Sequence, residues 1–126
     1  MILHIVSYVK GIFAKGVKNM SLTIMQGDQY AIPFVGKLNG EPLDLTKIEQ
    51  IEFVVGPLRK VYPGEVTTDE DGAFLFPLTQ EETFAFKTSM LSGQVRVKFT
   101  GATKPEVIGL PTGFIRVLDS MSREVL

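Results

Sequence analysis

The stretch Asn39-Gly40-Glu41-Pro42-Leu43-Asp44-Leu45-Thr46, with alternating apolar runs on both sides, constrains this chain more than any other. Asn-Gly is the strongest short-range hairpin signal, because both residues tolerate the positive φ that a type I′ turn demands. Pro42 cannot donate to a strand ladder, so its rung is expected at a sheet edge. Asn39, Gly40, Pro42 and Asp44 are therefore read as a structural turn.

The flanking sequence carries the period of two that marks half-buried strands. Leu22-Thr23-Ile24-Met25 reads as a short strand. Tyr30, Ile32 and Phe34 alternate with Ala31, Pro33 and Val35, and Pro33 again hints at an edge or a bulge. Ile51, Phe53 and Val55 alternate with Gln50, Glu52 and Val54 up to Gly56-Pro57. Lys60 to Tyr62, Glu65 to Thr68 and Ala73 to Pro77 read as further short strands, with Phe74 and Phe76 on one face. Gly93 opens the cleanest strand, in which Val95, Val97 and Phe99 face one way and Gln94, Arg96 and Lys98 the other. Gly101 and Pro105 bound a loop, and the last strand is expected over Phe114 to Leu118. Neither Gly93–Thr100 nor Phe114–Leu118 carries a proline guard, so one of these strands, or the apolar leader if it is made, is expected to contact another subunit. Thr79-Gln80-Glu81-Glu82 fits a capping box, predicting one helix over Gln80 to Phe86 with Phe84 or Phe86 in the core. Strands spaced roughly 8–12 residues apart, with one short helix, indicate an all-β antiparallel sandwich.

At 126 residues the chain fits one domain. Cysteine is absent, which excludes disulfides, thiolate catalysis and Cys-based zinc sites. With 13 basic and 14 acidic residues, no electrostatic case exists for a nucleic-acid face or a polybasic membrane patch. Residues 1–19 read differently from 20–126. Ile2, Ile5, Val6, Val9, Ile12, Phe13 and Val17 fall roughly at helical spacing, with Lys10, Lys15 and Lys18 near one another, as in an interfacial helix. No basic residue precedes the apolar run and no cleavage site follows it, against a signal peptide. Lys10 and Gly11 interrupt any membrane span. Lys15-Gly16-Val17 can also be encoded as AAAGGAGTN, a purine-rich ribosome-binding sequence upstream of Met20. Two readings stand: upstream translation before a natural start at Met20, or an arm that docks on a partner.

No catalytic, cofactor or metal site is expected. His4, the single histidine, has no Ser, Asp or Cys context for a triad. Asp69-Glu70-Asp71-Gly72 fails the calcium-loop pattern, since Thr67 and Leu78 occupy the outer ligand positions. Glu81-Glu82 are adjacent on a helix and suit its first turn rather than acid/base work. Arg59-Lys60 is too small for a basic patch. Arg96, Lys98 and Arg116 could line one sheet face and are the candidate interface.

Met25-Gln26-Gly27-Asp28, the Gly40–Thr46 turn and Ile51-Glu52-Phe53-Val54 together resemble the N-terminal domain of phage baseplate upper proteins. Asp71-Gly72, Leu78-Thr79-x-x-Glu82-Thr83, Gly93-Gln94-Val95-Arg96-Val97 and Gly113-Phe114-Ile115-Arg116-Val117 are similar to it as well. The resemblance covers nearly all of Met20 to Leu126. It implies an immunoglobulin-like sandwich, a non-enzymatic structural or assembly module of a phage tail or prophage particle. Its partners would be other virion subunits or itself, and its location the virion, made in the bacterial host cytoplasm. Members of that family continue into receptor-proximal parts, so a stand-alone small virion protein is expected here. The rival is a module that binds a host glycan, for which Tyr30 and Tyr62 are the candidate platforms outside the leader. A hydrolase is disfavoured by the lone His4 and the missing cysteine.

Overall fold

Alternating side chains give β2, β8 and β9 a buried and a more exposed face, and the two sheets close on one core. The computed structural model describes residues 3–7, 22–38, 40–87, 89–101 and 106–126. In chain order they form β1 (Leu3–Ser7), β2 (Leu22–Met25), β3 (Ala31–Leu38), β4 (Glu41–Pro42), a 3₁₀ turn (Leu45–Lys47), β5 (Ile48–Val55) and β6 (Leu58–Tyr62). There follow β7 (Thr67–Thr68), β8 (Phe74–Pro77), α1 (Gln80–Phe84), β9 (Met90–Phe99) and β10 (Glu106–Leu118). The first sheet has the order β1-β3-β8-β7, with β4 on one end of β3; the second has the order β2-β10-β9-β5-β6. The described residues are thus mostly β, with one short α-helix.

Phe53 of β5 is the centre of the core. Its ring lies 5.3 Å from Phe34, 5.8 Å from Phe74 and 6.5 Å from Phe76, all on the first sheet. Tilted and edge-to-face contacts of this kind add to the area that the rings bury. Ile51, Val55, Val95 and Val97 add to the second sheet's contribution, with Leu22, Ile24, Ile115 and Val117 from β2 and β10, and Phe86, just past α1, plugs the core. The capping box is present: Glu82 N–H donates to Thr79 Oγ1 at 3.2 Å, and Thr79 N–H to Glu82 Oε1 at 2.9 Å. Lys60 holds the helix to β6, donating to Pro77 O at 2.5 Å and to Glu82 Oε1 at 2.9 Å.

Several expectations are corrected. Leu3–Ser7, expected at helical spacing, is a strand antiparallel to β3; the other leader residues lie outside the described ones. Pro33, expected at an edge or a bulge, is buried in β3 and pairs with Leu75 of β8. The described part of β1 pairs only from Phe34 onward, so at Pro33 no described β1 residue is left without a donor. Pairing in the second sheet is not wholly antiparallel, because β2 runs parallel to β10. The strand expected over Glu65 to Thr68 shrinks to β7, since Glu65 and Val66 turn back and donate to Val61 O, each at 3.0 Å. The last strand starts at Glu106, not Phe114, and is bulged between Pro111 and Gly113.

The turn at 39–40 is a two-residue connection, with Leu38 opposite Glu41. Gly40 has φ +82°, while Asn39 lies outside the described residues, so the turn type is left to Gly40 alone. Pro42 sits on β4, an exposed rung paired only with β3. Asp44 caps the 3₁₀ turn, accepting from Thr46 Oγ1 at 2.6 Å and Thr46 N–H at 3.0 Å, which holds its carboxyl below the usual range.

Neither unguarded tract is an edge. β9 lies between β5 and β10, and Phe114–Leu118 lies between β9 and β2. The outer strands of the second sheet are β2 and β6, and β2 flanks β10 only over Ile115–Leu118, so the stretch of β10 before it has no described partner strand on that side; on β2 and β6 one residue each is covered locally. Met25 N–H donates to Asp28 Oδ2 at 2.9 Å, and Met25 O accepts from Asp28 N–H at 3.0 Å. On β6, Val61 N–H donates to Glu65 Oε1 at 3.2 Å while its carbonyl takes the Glu65 and Val66 amides. Backbone groups occupied in this way are poor templates for an added strand.

Candidate interaction face

Two bulges decide what the outer face of the second sheet displays. In β5 the register shifts between Ile48 and Gln50, so Glu49 and Gln50 both turn outward. In β10 the shift at Pro111/Gly113 reverses the phase. Thr112 is buried before it, and after it Phe114 and Arg116 are exposed while Ile115 and Val117 enter the core. Gly113 holds this bulge with φ +97°, a conformation that glycine adopts without steric cost.

One half of the face is polar. Glu52 lies opposite Arg96 across β5 and β9. Its Oε1 accepts from Arg96 Nε at 2.6 Å and its Oε2 from Arg59 Nε of β6 at 2.5 Å. These bonds, Arg96 first, pull the Glu52 carboxyl down to about 2. The carboxylate side chain is 11 % exposed, the Arg59 and Arg96 side chains 59 % and 55 %. Lys98 pairs with the bulged Glu49 at 2.8 Å. Together Gln50, Glu52, Arg59, Arg96, Lys98 and Val107 line a shallow depression of about 160 Å³. Gly109, opposite Arg96, gives its stem room: a Cβ there would meet Arg96 Cγ at 3.1 Å.

The other half exposes large apolar side chains among polar ones. Phe114 is 60 % exposed, Met90 53 % and Met25 44 %, with Val107 at the border between the halves. Phe114 stands opposite Ser92, and Arg116 opposite Met90. The structure therefore brings Arg96 and Lys98 together within an ion-pair network and places Arg116 among apolar side chains on the same face. Gly40, Pro42 and Asp44 belong to the β3–β4 turn and the 3₁₀ turn and take no part in it. From sequence, Glu52 falls on the polar side of its strand, Arg59 belongs to too small a basic patch and Phe114 lies in a tract that could contact another subunit, but none of them, nor Met90, was joined to this face. The signal for Phe114 was local: glycines and a proline before a strand, the composition of a bulge. The pairing of Glu52 with Arg59 depends on cross-strand register, which no local pattern carries.

Neither tyrosine offers a platform. Tyr30 is half-buried and its hydroxyl is pushed up to about 12 by burial and by Asp28. Tyr62 is half-buried with its ring 5.1 Å from Phe74. Among the described residues no cluster of His, Asp or Glu could hold a metal ion, and no helix is long and apolar enough to cross a membrane. Comparison with protein-family models, with curated proteins and with solved structures finds no match to this chain.

Proposed function

We propose that the protein is a non-enzymatic structural module of a phage or prophage particle, an immunoglobulin-like sandwich that acts through contacts with its own copies and with neighbouring virion subunits. The observation that carries this reading is that the outer face of the second sheet exposes the large apolar side chains Phe114, Met90 and Met25, with Val107 farther along β10. Large apolar side chains gathered on one rigid face mark a binding surface more often than chance exposure. Arg96, Lys98 and Arg116 supply the polar part of such a contact. The resemblance to baseplate upper proteins gives the reading its biological setting, in a tail, baseplate or other assembly position. The glycan-binding alternative loses support because Tyr30 and Tyr62 pack against the core. Mass spectrometry of purified particles tests the proposal. The chain is expected as a stoichiometric component at a copy number matching the particle's symmetry. Its absence from intact particles that are produced in cells expressing it would overturn the reading.

A further inference from the structure

We infer that the depression between β6, β5 and β9 is a seat for an oxyanion, which the free ends of Arg59 and Arg96 would grip. Each arginine is fixed at Nε by a different oxygen of the same carboxylate. The terminal guanidinium nitrogens of both make no hydrogen bond to a described residue. Glu52 thus orients the two forks and leaves their outward donors available. Three cations, Arg59, Arg96 and Lys98, line the depression against this one carboxylate, while Glu49 holds Lys98 from outside the lining. A clamp between three strands needs only the Nε contacts. It does not require both guanidinium heads to stand more than half exposed over a depression with Gln50 and Val107 as its other walls. Paired guanidinium forks suit carboxylate and phosphate geometry. The oxyanion has two sources: an acidic side chain of a docked neighbour, which rests on the assembly reading above, or an anion free in solution, which does not.

Nitrogen-15 NMR of the arginine Nε–H signals of the full chain tests the seat, with sodium phosphate and sodium acetate titrated against sodium chloride at equal ionic strength, because salt alone screens exposed charges. Saturable shifts at Arg59 and Arg96 are expected with phosphate or acetate and not with chloride. Arg59→Gln and Arg96→Gln should each raise the half-saturation concentration by about tenfold or more, the loss of a charge-assisted contact. The backbone spectrum of each variant reports whether it remains folded, and Lys98→Gln, at the rim, gives a milder second variant with a smaller increase. Shifts that follow ionic strength alone, or that survive both arginine substitutions, would overturn the seat. Sedimentation velocity in the same buffers separates the sources. Saturation by phosphate that dissolves self-association assigns the seat to a neighbour's acidic side chain, and saturation that leaves association unchanged assigns it to a free anion. A protein that never associates and is missing from particles would remove the assembly reading, yet the NMR result would stand by itself.

Discussion

Val97 and Lys98 are neighbours in sequence and opposites in environment. Val97 is wholly buried in the middle of β9, whereas Lys98 is half-exposed and ion-paired to Glu49. Val97→Asp forces a charge, or a neutralised carboxyl, into the core and should destabilise by about 3 kcal/mol or more. Lys98→Asp loses a surface pair and should cost under about 1 kcal/mol. Thermal unfolding of the two variants checks the strand phase, and equal shifts would contradict it. Glu52 makes a pH-dependent prediction. Its carboxyl sits at about 2 in the folded protein against an ordinary value of 4.5. The ion pairs therefore stabilise the fold above the unfolded-chain value, and this contribution drains away as pH falls from about 4.5 towards 2. Glu52→Gln should flatten that part of the acid limb in urea titrations run at successive pH values. A limb unchanged by the substitution would show that Arg59 and Arg96 do not hold the carboxylate in solution.

At the level of elements, the β3–β4 connection and α1 depend on local backbone chemistry. Gly40 has φ +82° with nothing within 4 Å of the place a Cβ would occupy, so Gly40→Val meets backbone strain and no clash. A destabilisation of roughly 1 kcal/mol or more is expected from chemical denaturation. Thr79→Ala removes half of the capping box and should cost about 1 kcal/mol, with Thr79→Asn largely restoring it. These elements were legible in the sequence because their determinants lie within a few residues of one another. The phases of β5 and β9 were legible too, since Ile51-Glu52-Phe53 and Val95-Arg96-Val97 alternate without interruption. The first half of β10 was not: Gly109, Pro111 and Gly113 look like loop punctuation, and one of them in fact holds a bulge inside a thirteen-residue strand. β1 was hidden for another reason. Its apolar residues fit helical spacing within a longer segment, and pairing with β3, distant in sequence, fixes it as a strand.

For the whole molecule, the core alternation tells which side chains are inside, but the use of the outside depends on strand order. Once β9 and Phe114–Leu118 are internal, an open edge in those tracts cannot carry assembly. Asp28 and Glu65 also occupy edge groups of β2 and β6, and the assembly proposal places the contact on the outer face of the second sheet. Arg96 and Lys98 were correctly placed on that face by their alternation, and Arg116 joins them only because the bulge restores its outward phase. The apolar part of the face turns on Phe114. Phe114→Asp leaves the core untouched, so its effect on stability should stay within about 0.5 kcal/mol. The most direct measurement is sedimentation velocity of the wild-type chain and Phe114→Asp over a wide concentration range. The account predicts that the wild type associates as concentration rises and that Phe114→Asp remains monomeric at an unchanged melting temperature; a wild type that is monomeric throughout, or a variant that associates equally well, would contradict it.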